Sequence, residues 1–140
     1  MKWIINLCIL GVILGSGLGA EADAQTPRFG LCHRGGGENC VVDGDTIWLA
    51  GEKIRLADID APETHPARCP KEAELGKAAT LRLQALLNRG GVTLRTLRRD
   101  RDRYGRMLRI VEVRGVSAGE ILVREGLARR YSGGRRQPWC

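Results

Sequence analysis

Histidine is nearly absent from this 140-residue sequence, with only His33 and His65, and no two of its cysteines form a C-x-x-C pair. Zinc centres draw on paired ligands at regular spacing, so a site using Cys32, His33, Cys40, His65 or Cys69 is disfavoured. No internal repeat is present, which excludes a stacked-repeat architecture, and the only low-complexity tract is the Gly35-Gly36-Gly37 loop. The one long apolar run is Trp3 to about Leu18, and Asn6, Gly11, Gly15, Ser16 and Gly17 interrupt it. Those interruptions weaken it as a permanent membrane span.

That run follows Lys2 and precedes Ala22-Asp23-Ala24, small residues at the positions a signal peptidase reads. Residues 1–24 are therefore expected to be a cleaved signal peptide, in preference to an uncleaved anchor. Cys8 lies inside the apolar run, which argues against lipidation. The expected location is secreted or periplasmic, with no stable membrane association after cleavage. The remaining 116 residues suffice for one compact domain, expected to be a monomer, and are too few for two. Cleavage removes Lys2, Glu21 and Asp23 and takes the net charge from +7 to +8. An arginine-rich positive surface steers polyanions, although charge alone is also explained by solubility.

Four cysteines remain: Cys32, Cys40, Cys69 and Cys140. An even number in an exported small domain predicts two disulfides with three possible connectivities. Pairing Cys32 with Cys40 would close the glycine loop, and pairing Cys69 with Cys140 would pin the end of the sequence to the start of a helix.

Residues 25–39, with Pro27 and four glycines, are expected to be an extended arm, and residues 40–140 the domain proper. Ile47 and Leu49, then Ile54 and Leu56, alternate with Trp48, Ala50, Lys53 and Arg55 and predict a hairpin turning at Gly51-Glu52. Arg55 thus sits on a strand. Pro62 and Pro66 make residues 58–67 a loop. A helix starts at Pro70, carries Leu75, Ala79, Leu83 and Leu86 on one face and ends at Asn88-Arg89-Gly90-Gly91. Two strands follow, Val92 to Leu97 and Met107 to Val113, and a short helix capped by Ser117 with Glu120 stops at Gly126. Pattern alone leaves this as a small α+β or β-barrel domain.

Three clusters of charge stand out: Asp43-Gly44-Asp45-Thr46, then Arg55 with Asp58-Ile59-Asp60-Ala61-Pro62-Glu63, then Asp102-Arg103-Tyr104-Gly105-Arg106. Carboxylates this dense repel one another unless a cation sits among them, and nearby arginines recognise oxyanions such as phosphate. Taken alone, Asp43-Gly44 is a turn signal and Glu63 a solvated loop residue. Asp58 and Asp60 share one face of an extended segment, so one is a candidate metal ligand and the other orients it. An oxygen-only donor set suits Ca2+ or Mg2+.

These clusters, in this order over residues 41–131, resemble the staphylococcal nuclease (thermonuclease) family. The resemblance implies a five-stranded OB-fold, a β-barrel with helices, and a Ca2+-dependent endonuclease acting on DNA or RNA with low sequence specificity, on single-stranded or unpaired substrate. It implies Asp45, Asp60 and the carbonyl of Ala61 as metal ligands, Glu63 as general base, and Arg55 and Arg106 on the scissile phosphate, with a 3′-phosphate product. The family has threonine where Ala61 stands, which leaves a backbone ligand in place. Tyr104 and Tyr131 become candidate substrate contacts, Tyr131 lying one residue from the position of the family's substrate tyrosine. Cys140 follows Tyr131 by nine residues, where family members carry a long C-terminal helix; Trp139 and a Cys69 to Cys140 bridge are expected to do its packing.

Two other classes compete. A non-catalytic nucleic-acid-binding barrel would be expected to have lost part of the Asp45, Asp60, Glu63, Arg55, Arg106 constellation, and this sequence keeps all of it. A disulfide-stabilised protein-binding domain accounts for the cysteines and leaves the charged clusters idle.

Overall fold

The computed structural model describes residues 26–33 and 36–140. The expected signal peptide, residues 1–24, and Gly35 of the glycine loop lie outside the described residues. In chain order the elements are β1 (Gly30–Leu31), β2 (Cys40–Asp43), β3 (Thr46–Leu49), β4 (Glu52–Leu56), β5 (Ile59–Asp60), α1 (Pro70–Leu87), β6 (Val92–Arg101), β7 (Met107–Val113), β8 (Val116–Ser117), α2 (Ala118–Arg124) and β9 (Arg129–Arg130).

The main sheet runs β1-β2-β3-β4-β7-β6, with β8 added to β7. β2, β3 and β4 form an antiparallel meander, β4 then pairs parallel with β7, and β6 and β7 form the second hairpin. Three strands, a helix, then two strands with the last parallel to the third is the order of an OB-fold. The two edges of this sheet, β1 and β6, are not joined by a ladder. Alternation along β3 and β4 and one face of α1 supply the core, in which Ile47, Ile54, Leu56, Leu83, Leu86 and Leu87 are fully buried.

The hairpin turns one residue earlier than expected. Ala50 and Gly51 take φ of 50° and 75°, and Glu52 enters β4 opposite Leu49. Two consecutive positive φ values match the twist of a two-residue hairpin, which a Gly51-Glu52 turn would not. β6 also extends past Leu97 to Arg101, with a register shift between Thr96 and Arg101. Helix α1 begins at Pro70 and ends at Leu87, and Ser117 Oγ accepts the Glu120 N–H to cap α2.

Two disulfides join Cys32 to Cys40 and Cys69 to Cys140. The arm is held by more than its disulfide: Phe29 is buried in the core, and Asn88 accepts its N–H at 2.8 Å. Among the described residues no helix is long and apolar enough to cross a membrane.

Candidate active site

Asp45 stands between β2 and β3, where Gly44 lets the chain pass close to helix and loop. A Cβ on Gly44 would lie 2.6 Å from the Ala79 side chain and 2.8 Å from that of Ala61. Asp45 Oδ2 accepts the Ala61 N–H at 2.9 Å, and its Oδ1 accepts the Thr46 hydroxyl at 3.0 Å. Arg55 projects inward from β4, almost wholly buried, with Nη2 3.2 Å from Asp45 Oδ2 and 3.9 Å from Asp60 Oδ1. Its Nη1 donates to the carbonyls of Leu56 and Ile59. The fold thus brings Asp45, Arg55, Asp60 and Ala61 together from the turn after β2, from β4 and from β5 and its loop.

The electrostatics are those of a place for a cation. Burial pushes the Asp60 carboxyl above the usual range and Asp45 repels it further, against the pull of Arg136, the Trp139 N–H and Arg55. Asp43, whose Oδ1 accepts the Asp45 N–H, is pushed up to about 7, by burial first and then by Asp45. Arg55 Nη2 is a buried donor with no hydrogen-bond acceptor despite its two carboxylate neighbours. Among the described residues no group of three or more His, Cys, Asp or Glu side chains is gathered to hold a metal ion. Two carboxylates and a carbonyl are the candidate donors, all of them oxygen, and they fit a hard divalent cation. Asp58 faces elsewhere: its Oδ2 accepts the Ser117 hydroxyl at 2.7 Å and its carbonyl accepts the Tyr131 N–H at 2.9 Å.

Glu63 lies on the loop between β5 and α1, half-buried, and its Oε1 accepts the N–H groups of Thr64 and His65 at 3.0 and 3.1 Å. The loop itself is held from below by Glu72. That residue is fully buried at the third position of α1, where a glutamate can reach back to N–H groups preceding the helix. It accepts from Glu63 N at 3.3 Å and Arg68 N at 2.7 Å. The Arg68 N–H foremost, with Glu63 N and the Arg68 side chain, holds its carboxyl below the usual range despite burial.

Arg106 enters from the turn joining β6 to β7. Asp102 accepts both its N–H at 3.0 Å and its Nε at 2.7 Å, so the guanidinium is oriented rather than free. Burial raises the Asp102 carboxyl, but these bonds win and hold it below its ordinary value. The Arg106 guanidinium lies 5.5 Å from the Tyr104 ring, and that of Arg55 lies 5.9 Å from the Tyr131 ring.

The expected site residues other than Asp45 fall in two hollows. A groove of about 1220 Å³ is lined by Arg55, Arg106, Tyr104 and Tyr131, with Lys53, Arg99 and Arg103 adding positive charge. A second hollow of about 450 Å³ holds Asp60, Ala61 and Glu63 beside Arg68, Arg135 and Trp139. Asp45 lines neither and lies beneath the wall. Arg136 lines both.

The family model for staphylococcal nuclease homologues matches residues 53–138. The chain belongs to the staphylococcal nuclease family. It is 42% identical over 94 residues to endonuclease YncB of Bacillus subtilis, covering 63% of this chain and 44% of that protein. It is equally identical over 94 residues to the SPbeta prophage-derived endonuclease YokF of the same organism, covering 63% of this chain and 31% of that one. Similarity to a thermonuclease of Staphylococcus intermedius is 37% over 93 residues, 64% of this chain and 55% of the other. The chain thus spans less than half the length of these two Bacillus proteins.

Within this staphylococcal nuclease domain, sequence reasoning missed Glu72, Arg136 and Trp139 as parts of the site region, and quoted Asp102 in its cluster without giving it a role. Glu72 was legible as a glutamate at the third position of a helix opened by proline. The part Asp102 plays, orienting Arg106, was legible as a carboxylate four residues before it. Nothing local marks Arg136 or Trp139, because they reach the site only through tertiary contacts, the Cys69–Cys140 bridge among them.

Proposed function

We propose that this domain is a Ca2+-dependent nuclease, hydrolysing phosphodiester bonds of DNA or RNA with low sequence specificity. The reading rests on one observation: Asp45, Arg55 and Asp60, from the turn after β2, from β4 and from β5, converge at a buried point beside a groove rich in arginine. Relatives named endonuclease and thermonuclease support the same chemistry.

In this reading Asp45, Asp60 and the Ala61 carbonyl hold the ion, which when bound supplies positive charge beside a phosphate oxygen. Glu63 takes a proton from the attacking water, its Oε1 already oriented by the Thr64 and His65 N–H groups. Arg55 and Arg106 donate to the phosphate oxygens as charge grows on them, Arg55 through the Nη2 that has no acceptor. Tyr104, 68% exposed, and Tyr131 would contact unpaired bases or phosphate in this reading. Contacts to phosphate carry no sequence information, hence the low specificity. Residues 1–24 would export the chain, residues 25–39 brace the domain formed by residues 40–140, and the domain acts as a monomer in a secreted or periplasmic setting.

A specific observation also favours a non-catalytic nucleic-acid binder: Glu63 and the two arginines line different hollows. Incubation with single-stranded DNA in Ca2+ and in EDTA separates the readings. Cleavage in Ca2+ alone is expected; binding without cleavage in either condition overturns the enzyme assignment.

A further inference from the structure

The segment after β9 is fixed to the site at four points. Cys140 is bonded to Cys69 just before α1. Trp139 is buried and donates Nε1–H to Asp60 Oδ2 at 3.2 Å. Arg129 stacks on the Trp139 ring at 3.8 Å and donates to the carbonyls of Gln137 and Pro138. The Tyr131 hydroxyl donates to the Gly134 carbonyl at 2.8 Å. A segment with two glycines and no regular structure is thereby tied down on both sides of Arg136.

The Arg136 side chain leans on Asp60 and Tyr131 and reaches solvent. Its Nε lies 3.5 Å from Asp60 Oδ1, its guanidinium 5.7 Å from the Tyr131 ring, and its side chain is about half exposed. Among the described residues it alone lines both the arginine groove and the Glu63 hollow. A strand whose scissile phosphate sits between Arg55 and Glu63 must pass from one hollow to the other, and Arg136 stands at that crossing.

We propose that Arg136 is a substrate-binding residue: it holds a backbone phosphate of the nucleic-acid strand where the strand passes Asp60, and the Cys69–Cys140 bridge is what presents it. The inference rests on the nucleic-acid reading above. The alternative is that Arg136 merely balances the charge of the buried Asp60 from its half-exposed position.

The test is the affinity of the purified protein for a fluorescent single-stranded oligodeoxynucleotide in EDTA, read by anisotropy across a salt series, so no turnover is involved. Arg136→Ala should weaken binding about fivefold and reduce the salt slope by about 0.7, the loss of one phosphate contact. Arg136→Lys should recover most of that affinity, because a positioning charge at a phosphate does not need a planar fork. Arg124→Ala, on α2 away from both hollows, removes the same net charge and should change affinity less than twofold. The double variant Cys69→Ser/Cys140→Ser should bind as weakly as Arg136→Ala, with no further loss when the two are combined. Equal effects of Arg136→Ala and Arg124→Ala, or no effect of Arg136→Ala, would reduce Arg136 to a counter-ion and overturn the proposal. A wild-type protein that binds but does not cleave in Ca2+ sinks the nuclease reading and leaves this one standing; a wild-type protein that does not bind the oligonucleotide at low salt sinks both.

Discussion

Removal of the Cys69–Cys140 bridge by serine at both positions gives a large effect whose size follows from chain statistics. The bridge closes a loop of sequence separation 71, against 8 for Cys32–Cys40. Restricting an unfolded chain by a loop of the larger size is worth about 4.4 kcal/mol, and by the smaller about 2.5 kcal/mol. For a domain of this size each kcal/mol moves the melting temperature by roughly 4 °C. Cys69→Ser/Cys140→Ser should therefore melt about 17 °C below wild type and Cys32→Ser/Cys40→Ser about 10 °C below it. Both can be followed by near-ultraviolet circular dichroism at neutral pH. The mechanism lies in the unfolded ensemble, so the order of the two effects is the sharper prediction. If the long bridge matters less than the short one, or its loss costs under about 5 °C, the chain-entropy reasoning fails and native contacts of Trp139 dominate instead.

Glu63→Gln should preserve the fold and oligonucleotide affinity and lower turnover by at least about a hundredfold; near wild-type turnover removes Glu63 from the mechanism. Arg106→Lys keeps the charge and loses the two-pronged geometry that Asp102 orients, so turnover at saturating substrate should fall far more than affinity, and the reverse pattern would make Arg106 a positioning contact. Glu72→Gln should be destabilising at neutral pH and progressively less so below about pH 4: a carboxylate whose folded value is depressed adds stability above its unfolded value near 4.3, and that stability is lost as pH falls through the folded value. Melting curves of both proteins from pH 3 to 8 check this, and parallel curves across that range refute it.

Much of the fold was legible because its determinants are local. Alternation places Ile47 and Ile54 in the core, Pro70 and the run of Leu75, Ala79, Leu83 and Leu86 define α1, and Ser117 with Glu120 opens α2. The position of the hairpin turn was misjudged because Ala50 takes a positive φ that an alanine does not advertise. In the candidate site, the charge clusters mark Asp45, Arg55 and Arg106, while spacing leaves Asp58 and Asp60 open and the resemblance to the family selects Asp60. Their mutual geometry is not marked, since it depends on the parallel pairing of β4 with β7 and on Gly44 approaching Ala61.

By itself the sequence determined which side chains carry charge and on which elements they ride, since periodicity, caps and breakers act within a few residues. Only the tertiary structure decided which of them meet. Burial turned Arg55 inward between two carboxylates, Glu72 became the support of the Glu63 loop, and a bridge between residues 71 apart set Arg136 and Trp139 against Asp60. Contacts between residues far apart in the chain are selected by the packing of the whole core, and no local pattern encodes them.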